Sequence, residues 1–263
     1  MVKVAIVTGG SGGIGRCTAQ ALSWAGCRVY EFSRHLRPCE GIEHIDADMC
    51  DEAQVRAAVA QVLRREGRID ILVNNAGFGI SGAAELIDPA DSHAQLELNL
   101  YGMDNATRAV LPAMRAQGGG RIVCMSSIAA ILPIPFQLWY SVSKAAINAY
   151  VLALQNEVRP FGISVCAVMP GDISSGFTQA RKKSDAGDEI YSGRIERSVA
   201  VMERDEKNGM SPEKAGAYVA RKALQKSSRP LCALGFSYKC AAMAAKLLPR
   251  RLSNWLVGLI YAG

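Results

Sequence analysis

Histidine occurs only three times in 263 residues, at 35, 44 and 93, and none of the eight cysteines (17, 27, 39, 50, 124, 166, 232, 240) forms a C-x-x-C pair. Zinc-ligand spacing therefore cannot be assembled, and no metal site is expected. Acid is missing from the C-terminal end: Glu213 is the last carboxylate, and residues 214–263 hold nine Lys/Arg, so the net charge of +6 belongs to the tail. That tail reads as a solvated helical face, in preference to a membrane-surface anchor or a nucleic-acid patch, for which no module is recognisable. Uninterrupted apolar runs are also missing. The longest uncharged stretch, Ile122 to Ser143, has the length of a membrane span but contains Pro133, Pro135, Gln137 and four serines, which would burden a helix in lipid. After Met1-Val2-Lys3 the apolar run is four residues long, too short for a secretory core, so the thiols are expected to stay reduced in the cytosol. With 49% hydrophobic and 21% charged residues, the chain is that of a globular protein rather than a disordered or collagenous one.

What is present is alternation. Val4–Val7, Arg28–Phe32, Ile69–Val73, Arg121–Met125 and Ile163–Val168 are short, nearly continuous apolar runs, the pattern of strands buried on both faces of a parallel sheet. Helix-length segments such as Asp51–Glu66 and Tyr140–Arg159 lie between them. This predicts a doubly wound α/β fold of the Rossmann type, with helices on both faces of a parallel sheet, in one domain. Two segments depart from the pattern. Residues 172–210 carry 15 charged residues in 39, with Tyr191, Ile195, Val199 and Met202 as a thin apolar stripe, and read as a mobile insertion. From Lys239 onward, Leu248, Leu252, Leu256 and Leu259 share a helical face, which predicts a terminal amphipathic helix packed on the body.

Val4 to Arg16 reads as a buried strand entering a glycine-rich turn that opens a helix. Glycine lets the backbone approach a pyrophosphate, and a helix N-terminus offers it unpaired N–H groups and a positive dipole. Both Gly10-x-Gly12-x-x-Gly15 and Gly9-x-x-x-Gly13-x-Gly15 fit dinucleotide spacings. The loop also spells Gly9-x-Ser11-x-Gly13, a serine-hydrolase elbow, but that chemistry needs a histidine late in the chain and none follows His93. Asn74-Asn75-Ala76-Gly77 and Ser126-Ser127 end predicted strands at the edge where doubly wound sheets bind ligands. Tyr140 and Lys144 stand one helical turn apart, where an ammonium would lower the phenol pKa from ~10 toward neutrality.

Together, Thr8-Gly9-x3-Gly13-Ile14-Gly15, Asp48, Asn74-Asn75-Ala76-Gly77, Asn99, Ser127, Tyr140-x3-Lys144 and Pro170-Gly171 resemble the short-chain dehydrogenase/reductase family across roughly residues 3–235. The resemblance implies Tyr140 as acid/base, Ser127 as the hydroxyl orienting a carbonyl, Lys144 as the residue that tunes Tyr140 and holds the nicotinamide ribose, and Asn99 as support for a relay water. It implies cofactor contacts from Gly9, Ser11, Gly13, Ile14 and Gly15, from Asp48 and Met49, from Asn75, Ala76 and Gly77, and from Pro170, Gly171, Ile173 and Ser175. The family's usual threonine after Pro170-Gly171 is absent, which leaves Ser174 or Ser175 to supply a hydroxyl. Homodimers or homotetramers paired through Asn99–Arg115 and Tyr140–Arg159 are expected on the same ground.

Aligning the family pattern puts Ser33, then Arg34, where an NAD enzyme carries its ribose carboxylate; Glu31 lies two residues too early. Ser33, Arg34 and Arg16 suit a 2′-phosphate, so NADP(H) is expected. Between Ser127 and Tyr140 only Gln137 is polar. A wall of Ile131, Ile134, Phe136 and Trp139, with Phe177 and Tyr191 from the insertion, favours a bulky apolar ketone or alcohol. The long insertion and the Ser33-Arg34 end look most like the hydroxysteroid and retinoid branch. A general carbonyl or 3-oxoacyl reductase is the alternative, and a non-catalytic dinucleotide-binding regulator the alternative of another class.

Overall fold

The structure, a computed structural model, describes all residues 1–263. Its strands are β1 (Val4–Thr8), β2 (Arg28–Ser33), β3 (Ile42–Asp46), β4 (Ile71–Asn74), β5 (Ile80–Ser81), β6 (Gly120–Met125), β7 (Ile163–Pro170), β8 (Lys182–Lys183) and β9 (Leu231–Leu234). Seven of them form one parallel sheet in the order β3-β2-β1-β4-β6-β7-β9. The five predicted strands are all there. The two missed, β3 and β9, are the edges: β3 interrupts its apolar residues with Glu43, His44 and Asp46, and β9 has only four residues.

Helices α1 (Gly13–Trp24), α2 (Glu52–Glu66), α3 (Pro89–Leu96), α4 (Gly102–Ala116), α5 (Leu138–Val158), α6 (Phe177–Ala180), α7 (Arg194–Lys207), α8 (Pro212–Leu224), α9 (Phe236–Leu247) and α10 (Arg250–Ala262) complete the chain. Asp51 caps α2 by accepting from the N–H groups of Ala53 and Gln54 at 2.9 and 3.1 Å, and Gly67 ends that helix in a left-handed turn. One apolar core joins α2, α4 and α5 to one face of the sheet; a second joins α1 and α8 to the other. Burial on both faces is what made the strands read as continuous apolar runs.

The chain winds outward from β1 to β3, then restarts at β4 on the other side of β1. This reversal opens a crevice at the C-terminal ends of β1 and β4, between the glycine loop and Asn74–Gly77.

Both late departures differ from expectation. Residues 172–210 are anchored rather than free: β8 pairs with β5, Lys182 and Lys183 bind Asp91 and Glu203, and Arg181 binds Glu206. Charge that looked like solvated loop is used in cross-links that sequence spacing does not show. The tail folds as two helices, because Pro249 cannot continue α9, and Leu252, Leu256 and Leu259 face solvent rather than the body. Only Val257 of α10 is fully buried.

Candidate active site

Beyond β1, Gly9 turns with φ +64°. Thr8 Oγ1 accepts from the N–H groups of Asn75 (3.0 Å) and Ala76 (3.1 Å), while the Asn75 amide donates to the carbonyls of Thr8 and Gly9 at 3.1 and 3.2 Å. These bonds tie the glycine loop to the end of β4. A Cβ at Gly15 would lie 2.3 Å from Asn75 Nδ2 and from Gly9 O, so no side chain fits there. Toward the crevice the loop is open: a Cβ at Gly12 or Gly13 would meet nothing closer than Arg37 Nη1 or Ser175 Cβ, each at 4.0 Å. The N-terminus of α1 has no side-chain cap and no acid in its first turn. An open cradle before uncapped N–H groups fits a dinucleotide pyrophosphate, with Ser11 in the loop and Ile14 in the first turn of α1. Of the two serines, Ser175 is the one that faces Gly13, and Ile173 is buried.

At the adenosine end, Glu31 is buried and its carboxylate meets His44 of β3, its register partner. Ser33 Oγ donates to Glu31 Oε1 at 3.3 Å and to His35 O at 3.2 Å. Glu31 Oε2 lies beneath Gly10 with no partner. Arg34 is exposed, Arg16 donates to Pro38 O at 3.0 Å, and Arg37, not anticipated from the sequence, reaches the loop. Asp48 accepts from Cys50 N–H at 2.9 Å, and Met49 is buried against Gly102.

Tyr140 and Lys144 project from the first turns of α5, and Ser127 follows β6. Lys144 is 5% exposed, and its Nζ lies 5.5 Å from the centroid of the Tyr140 ring while donating to Met125 O at 2.9 Å. Burial pushes the Tyr140 phenol up to about 12, against the Ser127 hydroxyl and Arg181, which favour the phenolate; Glu206 and Asp172 oppose it. Burial likewise lowers Lys144 to about 8. The expected drop of the phenol toward neutrality is therefore absent. Desolvation outweighs Ser127 and Arg181, and the Lys144 amine makes its bond to a carbonyl rather than to the phenol.

Asn99 lies in a π-helical turn, Glu97–Tyr101, between α3 and α4. Its side chain is fully engaged, accepting from Phe78 N–H (3.0 Å) and donating to Phe78 O (3.0 Å) and Ser143 Oγ (3.1 Å). Support for a relay water would fall to its main chain, and such π turns recur at functional sites. A Cβ at Gly77 would lie 2.9 Å from Asn99 Oδ1 and 3.7 Å from Lys144 Nζ, which shows how closely these groups converge.

Aromatic rings close the outer side. Phe177 meets Tyr140 with centroids 5.7 Å apart, and Tyr191 meets Phe136 edge-on at 5.6 Å. Phe136 holds φ +57°, rare for a bulky residue, in the same segment as Ile134. Two polar links were invisible in the sequence. Arg181, with a side chain 1% exposed, pairs with Glu206, which also takes a bond from Thr178. With the Gln137 amide assigned so that its oxygen faces that guanidinium, it accepts from Nε and Nη2 at 3.0 and 3.2 Å. Gln137 stood out as the lone polar residue of its run, the one available signal. Tyr238 of α9 covers Gly171, beside Pro170, and its hydroxyl donates to the Asp172 carboxylate.

Across residues 3–186 the chain matches the short chain dehydrogenase family model. It is 40% identical over 230 residues to a 3-ketodihydrosphingosine reductase of Bacteroides thetaiotaomicron, covering 86% of this chain and 85% of that one. It is 34% identical to the oxidoreductase UcpA of Salmonella typhimurium, over 76% of this chain and 80% of that one. Among solved structures, a short-chain dehydrogenase from Streptomyces avermitilis superposes with a TM-score of 0.85 at 30% identity, covering 97% and 96% of the two chains. The sheet order, the open glycine cradle and these similarities make the chain a member of the short-chain dehydrogenase/reductase family, whose oxidoreductases bind a nicotinamide dinucleotide.

Proposed function

We propose that this protein is an NADP(H)-dependent reductase of a bulky apolar ketone, working in the cytosol with Tyr140 as proton donor. The observation that carries the reading is the half-buried Tyr140 phenol with Ser127 and Lys144 beside it. The bound dinucleotide supplies the hydride. Ser127 holds the substrate carbonyl, and Tyr140, protonated at neutral pH, gives its proton to the oxygen as negative charge develops there. Lys144 uses one donor on Met125 O and keeps the others for ribose hydroxyls and for the phenolate left behind. Phe177 packs against Tyr140, and Phe136 and Tyr191 pair edge-on, giving the site apolar contacts.

The three arginines at the adenosine end, with Glu31 drawn away toward His44, support a 2′-phosphate. A second reading, NAD(H), is favoured by the unpartnered Glu31 Oε2 beneath Gly10, which a ribose hydroxyl would satisfy. The similarity to a 3-ketodihydrosphingosine reductase directs the substrate search to long-chain ketones ahead of steroids and retinoids. Oxidation of NADPH and NADH is to be followed across long-chain 3-keto lipids, steroids, retinoids, acyl thioesters and small ketones, with Tyr140→Phe as control. Fast turnover of small polar ketones alone would defeat the substrate class. NADPH binding with no turnover on any of them would favour a binding module.

A further inference from the structure

Nineteen large apolar side chains are exposed in this protein, and eight of them fall within residues 236–260. On α9, Phe236, Met243 and Leu247 follow one another at helical spacing, 83%, 59% and 79% exposed, with Lys239 and Lys246 along one flank. On α10, Leu252, Trp255, Leu256 and Leu259 form a second stripe, Trp255 being 57% exposed, with Arg250 and Arg251 at its start. The opposite side of each helix is engaged. Tyr238 bonds Asp172 beside the Pro170-Gly171 turn, Val257 is buried, and the Ala262 carbonyl accepts from Arg194 Nε of α7 at 2.8 Å. Packing toward the body thus orients both apolar stripes outward.

We propose that α9 and α10 form a docking face for an anionic lipid bilayer, lying in its interfacial plane. Charge complementarity decides the occupant. The face carries four cations, and no acidic side chain occurs after Glu213. Pairing with a second copy through this face would set like charges opposite one another across a two-fold axis, whereas anionic headgroups neutralise them. Apolar stripes flanked by Lys/Arg let the long cationic stems snorkel to the headgroups while Trp and Leu enter the acyl boundary. Helices of 12 and 13 residues, about 20 Å long, are too short to cross a ~30 Å hydrocarbon core. No helix of the protein is long and apolar enough to do so. The proposal concerns binding alone and stands whichever substrate is reduced.

The test is co-flotation of the full chain with phosphatidylcholine vesicles, with and without phosphatidylserine, and without substrate. Flotation with the serine-containing vesicles, lost with phosphatidylcholine alone and weakened by salt, is expected. Arg250→Glu with Arg251→Glu should lower the vesicle partition coefficient about tenfold or more. Trp255→Ser with Leu259→Ser should lower it comparably, with thermal unfolding unchanged for both pairs. No binding to anionic vesicles would overturn the proposal, as would undiminished binding of folded variants. Light scattering that shows Trp255→Ser with Leu259→Ser splitting an oligomer, in a protein that does not float, would assign the face to a second copy instead.

Discussion

Lys144 holds its ammonium 5.5 Å from the centre of the Tyr140 ring yet donates to the carbonyl of Met125, so the pair is adjacent without a direct bond. Each group is shifted by burial toward its neutral form, the phenol to about 12 and the amine to about 8. Reduction needs the phenol protonated and the amine charged. Its kcat/KM should therefore be level below pH 8 and fall above it as Lys144 loses its proton, long before the phenol titrates. A pH–rate profile with NADPH saturating checks this; a rise between pH 8 and 10 would contradict it.

The same burial predicts a stability effect. Lys144 titrates near 8 when folded and near 10.5 when unfolded, so between these values the unfolded chain holds the extra proton and stability rises with pH. Below pH 8 the cost of the buried charge is fully present. Lys144→Met should be inactive but more stable at pH 7 by up to about 3 kcal/mol, with the difference vanishing near pH 10.5. Denaturant unfolding at several pH values measures it.

Tyr140→Phe removes the proton donor and little else, since the ring still meets Phe177. A loss of roughly 10²–10⁴ in kcat is expected, with NADPH affinity retained by titration of cofactor fluorescence.

Arg34→Asp should cost at least about tenfold in NADPH affinity and spare NADH, because a charge-assisted bond to a phosphate contributes roughly 1.5–3 kcal/mol. Arg37→Ala should act in the same direction, as its guanidinium lies beside the glycine loop. Tighter NADH binding in the unmutated protein would favour the Glu31 reading.

Arg181→Met leaves the mostly buried Glu206 with Thr178 as its remaining partner and frees Gln137. Breaking such a pair costs about 3–5 kcal/mol. A lower melting temperature and a raised KM, with kcat less affected, are expected if this link holds the insertion over the site.

Much of the site was legible in the sequence because its groups sit at strand ends and helix starts. Thr8-Gly9 follows β1, Asn74–Gly77 follows β4, Ser127 follows β6, and Tyr140 and Lys144 are one turn apart; each position follows from a short-range period of two or 3.6 residues. Arg181 and Gln137 were not legible, since they are 44 residues apart in the chain and meet only through the β5–β8 pairing. Nor was Tyr238 over Gly171, which depends on where α9 packs after the last strand.

Apolar runs and glycine spacing by themselves specify the doubly wound sheet, its nucleotide cradle and the Tyr140–Lys144 turn, because these arise from contacts between neighbours along the chain. Tertiary structure alone decided that burial dominates the phenol's acidity, that the charged insertion is cross-linked, and that the leucines of the tail face outward. Desolvation, ion pairing and exposure depend on what lies across space, and only the packed fold brings those partners within reach.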